Sequence, residues 1–170
     1  ALDIAWSQMT ARFGRPIGDD ERPCGFTIVA YGKLGGLELG YASDLDLVFV
    51  YDGPVERETV GGERHLTHQV FFTRLAQRLI HVLSTQTMAG RAYEIDMRLR
   101  PSGNAGLMVS HIDAFADYQH HKAWTWEHQA LVRARPVAGD TRLATRFCDI
   151  RQAILARPRD PAELAVEVQA

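Results

Sequence analysis

Apolar residues at Leu2, Ala5, Trp6, Met9 and Phe13 recur at three- to four-residue intervals and predict a helix over 1–13. Residues 14–25 hold Gly, Pro and a charge cluster and read as a loop. A short apolar run over 26–31 predicts a strand, Gly32 to Gly36 a turn, and 37–42 either a short helix or a loop. Residues 45–51 predict a second strand, followed by a polar connector over 52–62 with Gly53-Pro54 and Gly61-Gly62. The strongest helical signal spans 67–84. There Phe71, Phe72, Leu75, Ala76, Leu79, Ile80 and Leu83 form one wide apolar stripe, with Arg74, Gln77, Arg78 and His81 on the other side. A third strand is predicted over 91–99, ended by Pro101. After a loop over 102–106 and an apolar run over 107–109, helices are predicted over 112–121, 123–135 and 142–155, and Pro158 and Pro161 punctuate the tail. The order predicts an α+β fold: a small mixed sheet backed by helices, then a helical segment. We take 1–110 as the core of the domain and 111–170 as a helical segment continuing it.

At 170 residues the chain has the length of one domain with a real core. The net charge of −2, with both signs spread along the chain, and a pI near 6.4 argue against nucleic acid as the main partner. No apolar run reaches membrane-spanning length. The two cysteines, Cys24 and Cys148, are too few for a disulfide framework and wrongly spaced for zinc, so a cytoplasmic setting is expected. The start lacks a signal-peptide pattern and falls inside a predicted helix, so a piece of a longer protein is expected.

Side chains alternate faces along a strand. Asp44 and Asp46 therefore point one way in the second strand, while Leu45, Leu47 and Phe49 point into a core. In the third strand Tyr93, Ile95, Met97 and Leu99 take the core face, and Glu94, Asp96, Arg98 and Arg100 the opposite face. If the strands are neighbours, their carboxylates converge. Converging carboxylates repel, and a hard divalent cation with oxygen ligands relieves that repulsion. Mg²⁺ held by such carboxylates together with substrate phosphates suits nucleotide chemistry, and two such ions suit an in-line phosphoryl displacement. Arg98 and Arg100 are candidates for pyrophosphate oxygens. Gly32, Gly35 and Gly36 let backbone N–H groups approach phosphates, Ser43 adds a hydroxyl, and Lys33 is a candidate phosphate contact or a solvated charge. The turn is not a phosphate-binding loop of the Gly-Lys-Ser/Thr type, since Thr27 and Leu34 stand where Gly and Ser or Thr are required. Singly, each feature has a bland reading: a solvated strand edge, surface charge pairs, an ordinary turn. Their combination fits the polymerase-β-like nucleotidyltransferase pattern.

Four segments carry a more specific resemblance. They are Tyr31-Gly-Lys-Leu-Gly-Gly36, Glu38-Leu-Gly-Tyr-Ala-Ser-Asp-Leu-Asp-Leu-Val-Phe49, Tyr93-Glu-Ile-Asp-Met-Arg-Leu-Arg-Pro-Ser-Gly103, and Ala114-Phe-Ala-Asp-Tyr-Gln119 with Ala123-Trp-Thr-Trp-Glu-His-Gln-Ala-Leu-Val-Arg-Ala-Arg135. Together they closely resemble glutamine synthetase adenylyltransferase, over roughly residues 24–140. The resemblance implies a bifunctional enzyme with two related nucleotidyltransferase domains. One attaches AMP from ATP to a tyrosine of glutamine synthetase; the other removes it by phosphorolysis. The Tyr-Ala-Ser-Asp-Leu-Asp and Trp-Thr-Trp-Glu-His wording resembles the adenylylating copy, where the other copy tends to read Phe-Ser-Ser-Asp-Ile-Asp and Arg-Asp-Trp-Glu-Arg. It further implies metal binding by Asp44 and Asp46 completed by Asp96, and a triphosphate site lined by Gly35, Gly36 and Ser43. Glutamine synthetase is the implied protein substrate, and the PII signalling protein a partner of the full-length enzyme. Phosphorolytic removal of AMP, a protein uridylyltransferase and a catalytically silent binding module stay open as alternatives.

Among the remaining residues, Trp124 and Trp126 suit a docking surface, but their apolar area favours at least one of them in the core. Arg133 and Arg135 suit phosphate contact or the C-terminal end of a helix dipole. Of seven histidines, His65, His68, His120 and His121 are poor zinc sets and read as surface or structural.

Overall fold

The computed structural model describes residues 1–41, 43–87, 90–91 and 93–158. Ala42 in the expected helix or loop, Ala92 in the expected third strand and Pro161 in the tail lie outside them. In chain order the elements are α1 (Leu2–Phe13), β1 (Phe26–Ala30), α2 (Gly32–Gly35), β2 (Leu45–Tyr51), α3 (His68–Ser84), β3 (Gln86–Thr87), β4 (Gly90–Arg91), β5 (Ile95–Asp96), β6 (Val109–His111), α4 (Ile112–His121), α5 (Thr125–Leu131), β7 (Arg135–Gly139) and α6 (Thr141–Leu155). The fold is mixed α/β, with a small mixed sheet and, among the described residues, six α-helices.

β1 lies at the centre and pairs antiparallel with β2 on one side and β7 on the other. Two short strands share the far edge of β2. β5 runs parallel to its beginning, with Leu45 opposite Ile95 and Asp46 opposite Asp96, and β6 runs parallel to its end, with Phe49 opposite Val109. Parallel pairing needs a crossover, which α3 supplies between β2 and this edge. β3 and β4 form a separate hairpin.

Alternation along the strands feeds two cores. Phe26, Ile28, Ala30, Leu45, Leu47, Phe49 and Tyr51 face α1 and α3, where Phe71, Phe72, Leu75 and Leu79 are fully buried. Phe72 is central: its ring lies 4.7 Å from Tyr51, 5.4 Å from Phe71 and 5.7 Å from Phe26. Val29, Tyr31, Val48 and Val50 face the other way, against Ile112, Phe115, Leu131, Leu143 and Phe147 of α4, α5 and α6. Each fully buried side chain of this size contributes roughly 1.5–3 kcal/mol.

Three expectations are corrected. The turn at 32–36 is a single helical turn. The strand expected over 91–99 is interrupted: Asp96 accepts a hydrogen bond from the backbone N–H of Arg98 at 2.8 Å. This two-residue side-chain turn takes the chain out of the ladder, which resumes only at Val109. The helix expected over 123–135 stops at Leu131, and 135–139 becomes β7. Arg151 supports that stop, donating to the carbonyls of Leu131 (2.7 Å) and Val132 (2.6 Å). Asp140 then opens α6, its side chain accepting from the Leu143 N–H at 2.8 Å. Among the described residues, no helix is long and apolar enough to cross a membrane.

Candidate active site

The predicted residues gather where β1 hands over to α2 and β2 begins. Asp46 and Asp96 stand in register on neighbouring parallel strands, so their carboxylates share one side of the sheet. Asp46 is half-buried, and Asp44, one residue before β2, is exposed on the lip. Burial raises the Asp46 pKa above the usual carboxylate value; the negative charges of Asp96 and Asp44 raise it further, and Arg98 and Lys33 oppose the shift. Asp96 behaves in the opposite way. Its hydrogen bonds from the Arg98 side chain hold its pKa below the ordinary value, against the effect of burial.

The glycine turn is built against these carboxylates. Gly32 has φ +53°, and a side chain there would run into the carboxylate of Asp46. Only glycine lets the backbone come so close in that conformation. Gly35 packs beneath the backbone carbonyls of Arg133 and Ala30, where a Cβ has no room. Gly36 donates to the Gly32 carbonyl at 3.0 Å, and Lys33 is exposed beside the site. Ser43 is buried, and its hydroxyl accepts the Gly40 N–H at 3.1 Å, closing the loop that leads into Asp44.

The two arginines expected beside Asp96 separate. Arg98 pairs with it, Nε at 2.7 Å and Nη2 at 2.5 Å from Oδ2. Arg100 turns into its own loop and donates to the carbonyls of Met97 (2.8 Å), Asn104 (3.3 Å) and Gly106 (3.4 Å). The shared face predicted for Glu94, Asp96, Arg98 and Arg100 therefore ends at Asp96, because the strand ends there.

Arg135 does cap helical carbonyls, but those of α2 rather than of its own segment: it donates to Leu34 (3.0 Å) and Gly35 (3.2 Å). Arg133 pairs with Glu38 at 2.8 Å. Arg135 thus clamps the glycine turn and Arg133 the residue just beyond it, roles concealed in the sequence because both arginines fell in the helix expected over 123–135. Trp124 and Trp126 are 68% and 53% exposed, so neither is core, contrary to expectation. The half-buried Glu127 accepts the Trp124 N–H (3.1 Å) and the Tyr118 hydroxyl (3.0 Å), which fixes the start of α5 with both rings outward. Away from the site, His68 is fully buried with Nδ1 3.7 Å from the Cys24 sulfur. Burial lowers the His68 pKa, and burial together with Asp52 and Asp20 pushes the Cys24 thiol up to about 11, so both are neutral packing groups.

Among the described residues, no three His, Cys, Asp or Glu side chains close on one point tightly enough to hold a metal ion. The donors at Asp46 and Asp96 nevertheless suit a hard divalent cation in kind, being carboxylate oxygens. Negative neighbours already disfavour the ionised form of Asp46, the condition a cation relieves.

A small mixed sheet, a glycine-rich turn between β1 and β2, and carboxylates on β2 and a parallel neighbour define a nucleotidyltransferase-like fold. The model of the glutamate-ammonia ligase adenylyltransferase family matches residues 1–150, and the chain belongs to that family. Its enzymes are nucleotidyltransferases that adenylylate glutamine synthetase, the glutamate-ammonia ligase of the family description.

Proposed function

We propose that this chain transfers AMP from ATP to a tyrosine hydroxyl of glutamine synthetase, releasing pyrophosphate, and is an adenylylating rather than an AMP-removing copy. The observation that carries the reading is the register of Asp46 with Asp96 beside Gly32, which sets two carboxylates against a backbone position that has no side chain. The motif wording around Asp44 and Trp124 supports the direction.

On this reading Asp44, Asp46 and Asp96 hold Mg²⁺ or Mn²⁺, which when bound offsets phosphate charge and orients the triphosphate. The Gly32–Gly36 turn lets the triphosphate approach the backbone, with Gly35, Gly36, Ser43 and Lys33 around it. The tyrosine oxygen attacks the α-phosphorus as the bond to the β-phosphate oxygen breaks. On the polymerase-β analogy Asp96 takes the proton of that attacking oxygen. Most of the rate comes from positioning and charge compensation. The exposed Trp124 and Trp126 offer a docking surface. The setting is cytoplasmic, and the PII signalling protein acts through the full-length enzyme.

The test is intact-mass spectrometry of unmodified glutamine synthetase after incubation with the protein, ATP and Mg²⁺. A gain of one AMP, abolished by Asp44→Ala/Asp46→Ala, is expected. Loss of AMP from adenylylated synthetase with phosphate, and no gain in the forward reaction, would reverse the assigned direction.

A further inference from the structure

The Arg98–Asp96 pair has a geometry that ordinary surface pairs lack. Both oxygens of Asp96 are taken by the same residue. Oδ1 accepts the Arg98 backbone N–H at 2.8 Å, and Oδ2 accepts Nε at 2.7 Å and Nη2 at 2.5 Å. The two partners are held very differently. The Asp96 side chain is 18% exposed and fixed by β5, whereas that of Arg98 is 74% exposed. Among the described residues, no group other than Asp96 accepts from the Arg98 guanidinium.

We infer that Arg98 is a displaceable internal counter-ion of the carboxylate site, seated on Asp96 when cation and nucleotide are absent and released toward the triphosphate when they bind. This rests on the proposed reading of Asp46 and Asp96 as cation-holding groups. Without a cation, Asp44, Asp46 and Asp96 repel one another, and the guanidinium reduces that repulsion. A divalent cation competes for the oxygens that Arg98 occupies. Once displaced, the side chain carries its fork-shaped set of donors into the open side of the site, where phosphate oxygens arrive. Cation and nucleotide then favour the same Arg98-released arrangement, so each tightens binding of the other. Arg98 also biases the site against a bare cation and toward the cation–nucleotide pair. Arg100, tied to three carbonyls of its own loop, has no such freedom.

The test uses Mn²⁺ alone, with free ion measured by electron paramagnetic resonance, and then a non-hydrolysable ATP analogue. Wild type, Arg98→Gln, Asp46→Asn and the double variant are compared, with circular dichroism confirming that each is folded. Arg98→Gln is expected to tighten binding of Mn²⁺ alone about three- to tenfold, and to weaken the analogue measured with Mn²⁺ by a similar factor. Arg98→Lys, which keeps the charge but loses the fork, is expected to fall between. Unchanged or weaker Mn²⁺ binding by Arg98→Gln, while Asp46→Asn still weakens it, overturns the counter-ion and leaves the carboxylate site standing. Mn²⁺ binding indifferent to Asp46→Asn in both backgrounds overturns the carboxylate site itself, and the counter-ion with it.

Discussion

Asp46 combines partial burial with electrostatic repulsion. Its carboxyl is half-buried beside two other negative charges, and its folded pKa is raised. In the unfolded chain it titrates near the ordinary value, about 4. Between those two values the folded state holds the proton more tightly. Stability therefore falls as pH rises through this window and stays lowered at neutral pH. Asp46→Asn is expected to melt at a higher temperature than wild type at pH 7, with the difference vanishing near pH 3. A lower melting temperature for the variant at pH 7 would mean that Lys33 and Arg98 outweigh the repulsion. At this scale alternation showed which carboxylates share a face, Asp44 with Asp46 and Asp96 with Glu94. It was not informative about their unequal states. Those depend on Arg98 curling back onto Asp96, which the expected straight strand through 91–99 excluded.

The turn between β1 and β2 shows why an element can be found in sequence yet misjudged. Its glycines were visible; the neighbours that make them necessary were not. Gly35 lies under carbonyls of Ala30 and of Arg133, the latter nearly one hundred residues on. Gly35→Ala is expected to cost about 1–3 kcal/mol in urea unfolding, because the obstructing atoms are backbone and cannot swing aside. Arg135 caps the same turn from β7. Arg135→Ala leaves two carbonyls without this donor, at a cost of about 1 kcal/mol. If the clamp positions the turn for phosphate, KM for ATP rises while kcat changes little, and Arg135→Lys recovers part of the loss. A drop in melting temperature with KM unmoved would reduce Arg135 to a structural cap.

Over the whole molecule, the sheet is covered on both faces, and residues far apart in sequence complete it. β7 supplies the far neighbour of β1, and α6 covers Val29, Val48 and Val50 together with α4. Ending the chain after Leu131 removes β7 and α6, leaving one edge of β1 unpaired and the second core open. Such a protein is expected to lose its cooperative melting transition and to bind a hydrophobic dye. A sharp transition without dye binding would show that the first core, around Phe72, stands alone.

By itself the sequence determined the elements whose signal is local. The stripe of α3 and the apolar runs of β1 and β2 followed from the pattern within a dozen or so neighbouring residues. It also singled out candidate carboxylates, because a carboxylate in an apolar strand stands out wherever the strand goes. Tertiary structure decided the rest. Residues 135–139 became a strand because β1 had a free edge to pair, and pairing across more than one hundred residues leaves no local periodicity. The third strand broke at Asp96 because a side-chain hydrogen bond to the following backbone competed with the ladder. Trp124 and Trp126 were left outside because Glu127 fixed the start of α5, while Leu131 supplied its buried contact. The partner of β7 lies more than one hundred residues away, whereas Arg98 and Glu127 are near neighbours whose hydrogen bonds hydrophobic periodicity does not register.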